Sequence, residues 1–305
     1  MLKAALVGCV GSTALAAEIL ARSPDWSLEL VVTLELAAAK RHSDFVDLAG
    51  IADAASARLF RTLSSNSAEC LQAIVEADVD FIFVIGWSQI CRAEFMNLKP
   101  DRIIGYHPAA LPRLRGRAAL PWTILLQEPI TAGSLMWLGD DVDNGDLIDQ
   151  QFFHVAADET AESLYAKHQA ALAEMLERSL ATIASGQLPR QPQDARYATY
   201  AAKRTPADGL IDWNDSAGTI ERLVRAVGKP YPGAFTSNGE DRLTIWQSRV
   251  LPDSGNYHAM RGQIVERTEE HFTVMTAEGL LKVEVWETVS GRAPLQHAVL
   301  GRKQS

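Results

Sequence analysis

Residues 79–85 read VDFIFVI, an almost unbroken apolar run rich in β-branched and aromatic side chains. A strand that is apolar on both faces has to be covered on both, which is the situation of a parallel strand inside an α/β sheet. Two more runs share this character, at 2–10 (LKAALVGCV) and 28–34 (LELVVTL). Segments with helical spacing alternate with them: 13–21, 45–57 and 67–77, the last presenting Cys70, Leu71, Ile74 and Val75 on one face with Ser67 placed to cap it. This alternation predicts an α/β fold with a mostly parallel sheet. Residues 35–42, which include Lys40 and Arg41, are expected to be a short, nearly neutral connection. The turn Gly8-Cys9-Val10-Gly11-Ser12 lacks G-x-G-x-x-G spacing, so no dinucleotide site is predicted there.

His107 follows the apolar pair Ile103–Ile104, where another buried strand is ending, and precedes Pro108, which has no N–H to donate and turns the chain. That places His107 at a strand tip, and carboxyl-terminal strand tips line the ligand crevice of open α/β sheets. Residues 118–126 read as a helix with Trp122 in the core. Segments 133–138 and 147–155 read as strands joined by the acidic turn Asp140-Asp141-Val142-Asp143-Asn144-Gly145-Asp146. Four aspartates in seven residues suggest a calcium loop, but the spacing is not that of an EF-hand and no glutamate closes it. No metal site is expected.

A long helix is predicted over 158–184, with Leu164, His168, Leu172, Met175, Leu176 and Leu180 spaced for one buried face. The stretch 187–198 (QLPRQPQDARYA) has the proline and polar content of a linker. Beyond it come an amphipathic helix at 216–227, a rigid turn at 228–233, and short strands at 243–246, 262–266, 271–275 and 280–286, the pattern of a small OB-like barrel. The 305 residues therefore divide into an α/β domain at 1–188, a linker at 189–203 and a β-rich domain at 204–305. OB folds often grip nucleic acid, yet 208–305 holds 11 Lys plus Arg against 13 Asp plus Glu, and the whole chain carries −9, so a polyanionic partner is disfavoured. Three cysteines, at 9, 70 and 91, form no C-x-x-C pair and read as free thiols of a reducing compartment. The amino-terminal apolar run is too short for a signal peptide or a membrane span, so a cytoplasmic protein with no membrane partner is expected.

Two blocks carry a resemblance. The first is His107-Pro108, Leu111-Pro112 and Arg115-Gly116, followed by Asp143-Asn144-Gly145-Asp146-Leu147; the second is Arg204-Thr205-Pro206, Ile211-Asp212-Trp213, Arg225-Ala226 and Tyr231-Pro232-Gly233-Ala234-Phe235. In that order they resemble the folate-dependent formyltransferase family, which includes glycinamide ribonucleotide transformylase, methionyl-tRNA formyltransferase and the amino-sugar N-formyltransferases. The second block is most similar to the tRNA and 4-amino-arabinose members.

The resemblance implies a Rossmann-like domain with helices on both faces, an OB-like second domain, and 10-formyltetrahydrofolate as formyl donor. It implies His107 and Asp143 as the catalytic pair: the charged ring supports the developing oxyanion, and the carboxylate favours that charge and takes a proton from the attacking amine. It implies a folate pocket built from Gly86, Trp87, Ser88, Gln89 and Ile90 with Leu138, Gly139, Asp140 and Asp141, and an acceptor side with Arg115, Gly116 and Arg117. The acceptor it suggests is a small-molecule primary amine, such as a nucleotide-linked amino sugar, and it leaves room for a homodimer. Gly105 departs from the pattern, because the family motif has Asn there, and Gln89 and Asn144 are candidate replacements for the lost amide. The alternatives left open are a methionyl-tRNA formyltransferase and a catalytically degenerate folate or nucleotide binder.

Overall fold

The structure, a computed structural model, describes residues 1–41, 44–252 and 255–302. The chain forms two compact units. The first comprises Met1–Ala119, Pro129–His154 and Tyr165–Ala202, and the second Leu120–Glu128, Val155–Leu164 and Lys203–Ser305.

In chain order the first part of the molecule contains β1 (Leu2–Val7), α1 (Gly11–Arg22), β2 (Trp26–Leu34), α2 (Ala49–Ala54), β3 (Arg58–Thr62), α3 (Ala68–Glu76), β4 (Phe81–Val84), α4 (Ala93–Met96), β5 (Ile103–His107) and the two-residue β6 (Arg115–Gly116). After α5 (Ala119–Leu125) come β7 (Ile130–Trp137), β8 (Leu147–His154), α6 (Ala161–Ala184) and the two-residue β9 (Tyr200–Ala201). Seven strands make one sheet in the order β3-β2-β1-β4-β5-β7-β8. The first five are parallel, while β7 runs antiparallel to β5 and β8 antiparallel to β7. This is the mostly parallel sheet that the apolar runs predict, in the Rossmann-like arrangement that the resemblance implies.

The sheet is apolar on both sides because each side meets helices. One core joins Leu6, Phe83, Ile104 and Trp137 to Ala16 and Leu20 of α1 and to Leu172, Met175, Leu176 and Leu180 of α6. The other joins Val7, Val32, Ile82 and Ile103 to Cys70 and Ile74 of α3 and to Phe95 of α4. Truncating one such buried Leu or Ile costs about 2–5 kcal/mol. The winding direction changes between β1 and β4, the usual ligand crevice of this architecture. There Thr13 donates its hydroxyl to the Ile85 carbonyl at 2.6 Å, and Gly86, at φ +72°, turns the chain where any Cβ would strike Val10.

Several local expectations give way to context. The helix expected over 45–57 spans only Ala49–Ala54, because Phe45 bridges Val10 in extended pairing and Val46 donates to the Cys9 carbonyl. Val75 lies 58% exposed: it sits one residue, about 100°, beyond buried Ile74. Trp122 is half-buried. A 3-10 turn spans Leu36–Arg41, and His42, the end of the expected connection, lies outside the described residues. The polar stretch after α6 runs along the first unit, bridging through Gln191 to Leu147 and pairing Tyr200–Ala201 with Arg115–Gly116.

The second unit contains α7 (Ala217–Ala226), capped by the Ser216 hydroxyl, and β10 (Ala234–Asn238), β11 (Asp241–Leu251), β12 (Ile264–Arg267), β13 (Phe272–Met275) and β14 (Leu280–Thr288). The strands form an antiparallel sheet in the order β10-β11-β14-β13-β12 around buried Leu243, Ile245, Phe272, Val274 and Val283. Residues 298–301 close it. Leu300 donates to the Gly262 carbonyl and Gly301 to the Ser237 carbonyl, both at 2.8 Å, so this segment spans the gap between the two edge strands. The result is a small β domain of the expected OB-like kind. Among the described residues no helix is long and apolar enough to cross a membrane.

Candidate active site

Side chains alternate across β5. Ile104 and Tyr106 enter the core under α1 and α6, which sends Ile103, Gly105 and His107 to the opposite face. His107, 5% exposed, ends the strand opposite Ser134 of β7. The loop after it is pinned from below: Ser134 donates its hydroxyl to the Ala109 carbonyl at 2.7 Å, and the Gln150 amide donates to the Leu111 carbonyl at 3.0 Å. The chain then bends through Leu114 at φ +54°, a costly conformation for a leucine, and aims the Leu114 carbonyl at His107 Nε2, 2.7 Å away. The Leu114 N–H is taken by the Thr199 hydroxyl at 2.8 Å.

Asp143 arrives from the acidic turn between β7 and β8. Gly145 makes that turn fit, because a Cβ there falls well inside contact distance of the Trp137 carbonyl oxygen and 3.1 Å from the Gly139 nitrogen. Asp143 itself sits at φ +50°, which an aspartate tolerates better than most residues. Its Oδ2 accepts the Gly116 N–H at 2.8 Å and lies 3.4 Å from His107 Nδ1. A histidine and a carboxylate separated by 36 positions thus meet at the carboxyl end of β5, the ring 7% and the carboxylate 19% exposed.

Hydrogen-bond logic constrains the proton. A ring nitrogen 2.7 Å from a carbonyl must carry hydrogen and donate, so Nε2 is committed to Leu114. Nδ1 then faces Asp143 Oδ2, an attractive arrangement only when a proton lies on that side of the ring or on the carboxyl. The more exposed carboxylate is the outward face of the pair, and neither ring nitrogen in this arrangement is left to point at an oxyanion.

Gly105 lies on the same face as His107, and its missing side chain has not left a polar gap. A Cβ there would sit 2.5 Å from Leu138 Cδ2 and 3.5 Å from Met136 Cε, so apolar side chains occupy the space. Of the two candidate replacement amides, Gln89 donates to the Leu63 carbonyl at 2.7 Å, and Asn144 accepts the Asp141 N–H through its Oδ1 at 3.2 Å.

The other sequence-predicted residues separate into three groups. Arg115 is 5% exposed and directs Nε and Nη2 at the Gln193 amide oxygen (3.2 and 2.7 Å), while Gly116 serves Asp143 through its backbone. Trp87 donates its indole N–H to Ser65 at 3.0 Å and packs into the core, whereas Ser88 and Ile90 beside it are exposed at the end of β4. Leu138 and Gly139 are half-buried, and Asp140, Asp141 and Arg117 are exposed. Among the described residues no group of three His, Cys, Asp or Glu side chains could hold a metal ion. Gln193 was missed by sequence reasoning, since an isolated glutamine in a polar stretch gives no periodic signal.

Behind the pair, on the other face of β5, Tyr106 and His168 form a buried polar island. Tyr106 Oη lies 3.0 Å from His168 Nδ1 and donates to the His168 carbonyl at 3.2 Å, which leaves Nδ1 as the donor to Oη and Nε2 as a bare nitrogen. Among the described residues His168 Nε2 has no hydrogen-bond partner. Burial, and after it the neighbouring His107, push the His168 pKa down to about 3. The folded state therefore binds this proton more weakly than the unfolded chain does. Its stability is intact above the unfolded value of about 6.5 and is lost as pH falls from there toward 3, by up to about 1.4 kcal/mol per pH unit. Urea unfolding at pH 7.5 and 5.5 is expected to show wild type losing about 1 kcal/mol more than His168→Gln; parallel losses in both proteins would refute this assignment.

Comparison with known proteins agrees with this architecture. A family model described as formyl transferase matches residues 29–180, and one described as formyl transferase, C-terminal domain, matches 203–296; neither includes 181–202. Similar solved structures include WlaRD, a sugar 3N-formyl transferase crystallised in the presence of dTDP and 5-N-formyl-THF, with TM-score 0.67, 18% identity, and coverage of 93% of this chain and 97% of that one. The N-formyltransferase from Helicobacter canadensis in complex with folinic acid and dTDP-3-aminofucose gives TM-score 0.66 and 17% identity over 93% and 99%. HypX from Aquifex aeolicus in complex with tetrahydrofolic acid gives 0.64 and 15% over 92% of this chain but only 43% of HypX. At these identities the structures establish a common fold. With the two family models matched in order over most of its length, the chain belongs to the formyl transferase family.

Proposed function

We propose that this formyl-transferring enzyme moves a formyl group from 10-formyltetrahydrofolate to the primary amine of a small molecule, a nucleotide-linked amino sugar being the acceptor class favoured. The observation that carries the reading is the meeting of His107 and Asp143 at the carboxyl end of β5, 3.4 Å apart, in a chain of this family. Support for the donor and acceptor comes from WlaRD and the Helicobacter canadensis enzyme, whose structures contain folate derivatives together with dTDP or a dTDP-linked amino sugar. A nucleic-acid acceptor such as methionyl-tRNA is disfavoured by the acidic balance of the second domain.

The donor supplies the formyl carbon. On the protein side, Ser88 and Ile90 offer exposed backbone and apolar surface at the end of β4, and Leu138, which packs against the same apolar cluster as Trp87, leads with Gly139, Asp140 and Asp141 into the rest of the folate contacts. Asp143 takes the proton that the amine loses as its nitrogen bonds to the formyl carbon and returns it to the departing folate nitrogen, while His107, fixed by the Leu114 carbonyl, supports the carboxyl group from its Nδ1 side. Gly116 keeps Asp143 in place throughout with its N–H.

The apolar filling of the Gly105 site by Leu138 favours a second reading, a folate or nucleotide binder without turnover. Incubating the purified protein with 10-formyltetrahydrofolate and a panel of nucleotide-linked amino sugars, with mass spectrometry of the products, separates the two. A product heavier by one formyl group is expected. Tight binding of donor and nucleotide with no product from any acceptor would favour the binder.

A further inference from the structure

We infer that Gln193, in the segment joining the two family-matched regions, is a positioning residue of the active site that holds Asp143 against Arg115–Gly116. The inference rests on reading His107 and Asp143 as the reacting pair.

The amide of Gln193 has no unused capacity. Its nitrogen donates to the Asp143 carbonyl at 2.9 Å and to the Gly145 carbonyl at 2.8 Å, and its oxygen accepts from Arg115 Nε at 3.2 Å and Nη2 at 2.7 Å. An amide has two N–H donors and two oxygen lone pairs, and all four are in use, which also fixes which way the group is turned. The three residues it touches are the ones that build the site from opposite sides. Arg115 precedes Gly116, whose N–H holds the Asp143 carboxylate, and Asp143 and Gly145 belong to the turn that delivers that carboxylate to His107.

The neighbours of Gln193 contribute in the same direction. Thr199 accepts the Leu114 N–H through its side chain and the Arg115 N–H through its carbonyl, and Tyr200–Ala201 pair with Arg115–Gly116. Residues 193–201 thus grip both arms that hold the His107 ring, Leu114 on one side and Asp143 on the other, although they lie outside both family matches. Side-chain composition alone marks this stretch as a linker, yet its contacts are those of a brace.

The consequence is for reaction geometry more than for folding. Gln193 is half-buried and bonds surface-facing turns, so losing it leaves the two cores intact. The φ +50° turn at Asp143 then has one fewer restraint, and displacement of a reacting group by about 1 Å can cost roughly 100-fold in rate. Gln193→Met keeps the length and removes all four bonds. Gln193→Glu keeps acceptance from Arg115 but turns a carboxylate oxygen toward two carbonyl oxygens.

Full-length Gln193→Met and Gln193→Glu are to be compared with wild type and with Gln191→Met, at an exposed residue whose backbone pairs with that of Leu147. Two readouts are used: steady-state formyl transfer, and hydrogen–deuterium exchange of residues 114–117 and 138–146. Both Gln193 variants are expected to show kcat lowered about 10- to 100-fold with KM for donor and acceptor within about twofold, and faster exchange confined to those two segments. Gln191→Met is expected to match wild type in both. Unchanged exchange in the two segments, or a Gln193→Glu enzyme with wild-type kcat, would overturn the inference. Exchange that rises as expected while wild type itself transfers no formyl group would uphold the brace and overturn the assigned reaction instead.

Discussion

Asp143→Asn is expected to lower kcat for formyl transfer by about 10²- to 10⁴-fold while leaving the unfolding midpoint nearly unchanged. The amide has the shape of the carboxylate, and its oxygen can still accept the Gly116 N–H that Oδ2 takes at 2.8 Å. It cannot take a proton from an attacking amine, and it cannot stabilise a charged His107 ring. The substitution therefore removes the chemistry and keeps the scaffold. Stopped assays with the acceptor that wild type formylates measure the ratio. A variant within about threefold of wild type would mean that some other group accepts the proton.

Gly145→Ala is expected to have the largest effect on stability of any single methyl added to the first unit, about 3 kcal/mol or a fall in Tm of roughly 6–12 °C. The new Cβ collides with the Trp137 carbonyl, and backbone cannot swing aside as a flexible side chain can. The same strand end is tied by the Trp137 N–H to the Asp146 carbonyl at 2.9 Å, so relief of the clash has to open the turn that carries Asp143. Activity is expected to vanish along with the lost stability. Gly50→Ala is the control, since a Cβ there meets nothing within 4 Å and alanine suits the first turn of α2 at least as well as glycine. Differential scanning calorimetry of both variants reads the contrast, and equal Tm values would show that the turn is slack.

Much of this architecture was legible because burial writes itself into composition. β1 and β4 come from the apolar runs at 2–10 and 79–85, and they lie at the centre of the sheet. The six residues read as the buried face of α6 are each 2% exposed or less, His168 among them. β3 was invisible for the opposite reason: as an edge strand of sequence RLFRT it buries only Thr62 fully and carries two arginines, so it offers neither alternation nor an apolar run.

In the site, the meeting of His107 with Asp143 was accessible through motif resemblance, but its finer geometry was not. That Leu138 fills the space beside Gly105 depends on a side chain 33 positions away. That the His107 ring is committed to Leu114 depends on a left-handed backbone angle no residue type announces. Gln193 shows the limit most clearly, because hydrogen bonds from one amide to three distant residues impose no spacing on the sequence.

The central claim is that formyl transfer takes place where the imidazole and the carboxylate converge. A crystal structure of the protein with tetrahydrofolate and a nucleotide-linked amino sugar tests it directly. The acceptor amine is expected within hydrogen-bonding distance of Asp143, with the folate against Ser88, Ile90 and Leu138. Both ligands bound in order, with the amine in a different cleft and out of reach of His107 and Asp143, would contradict it.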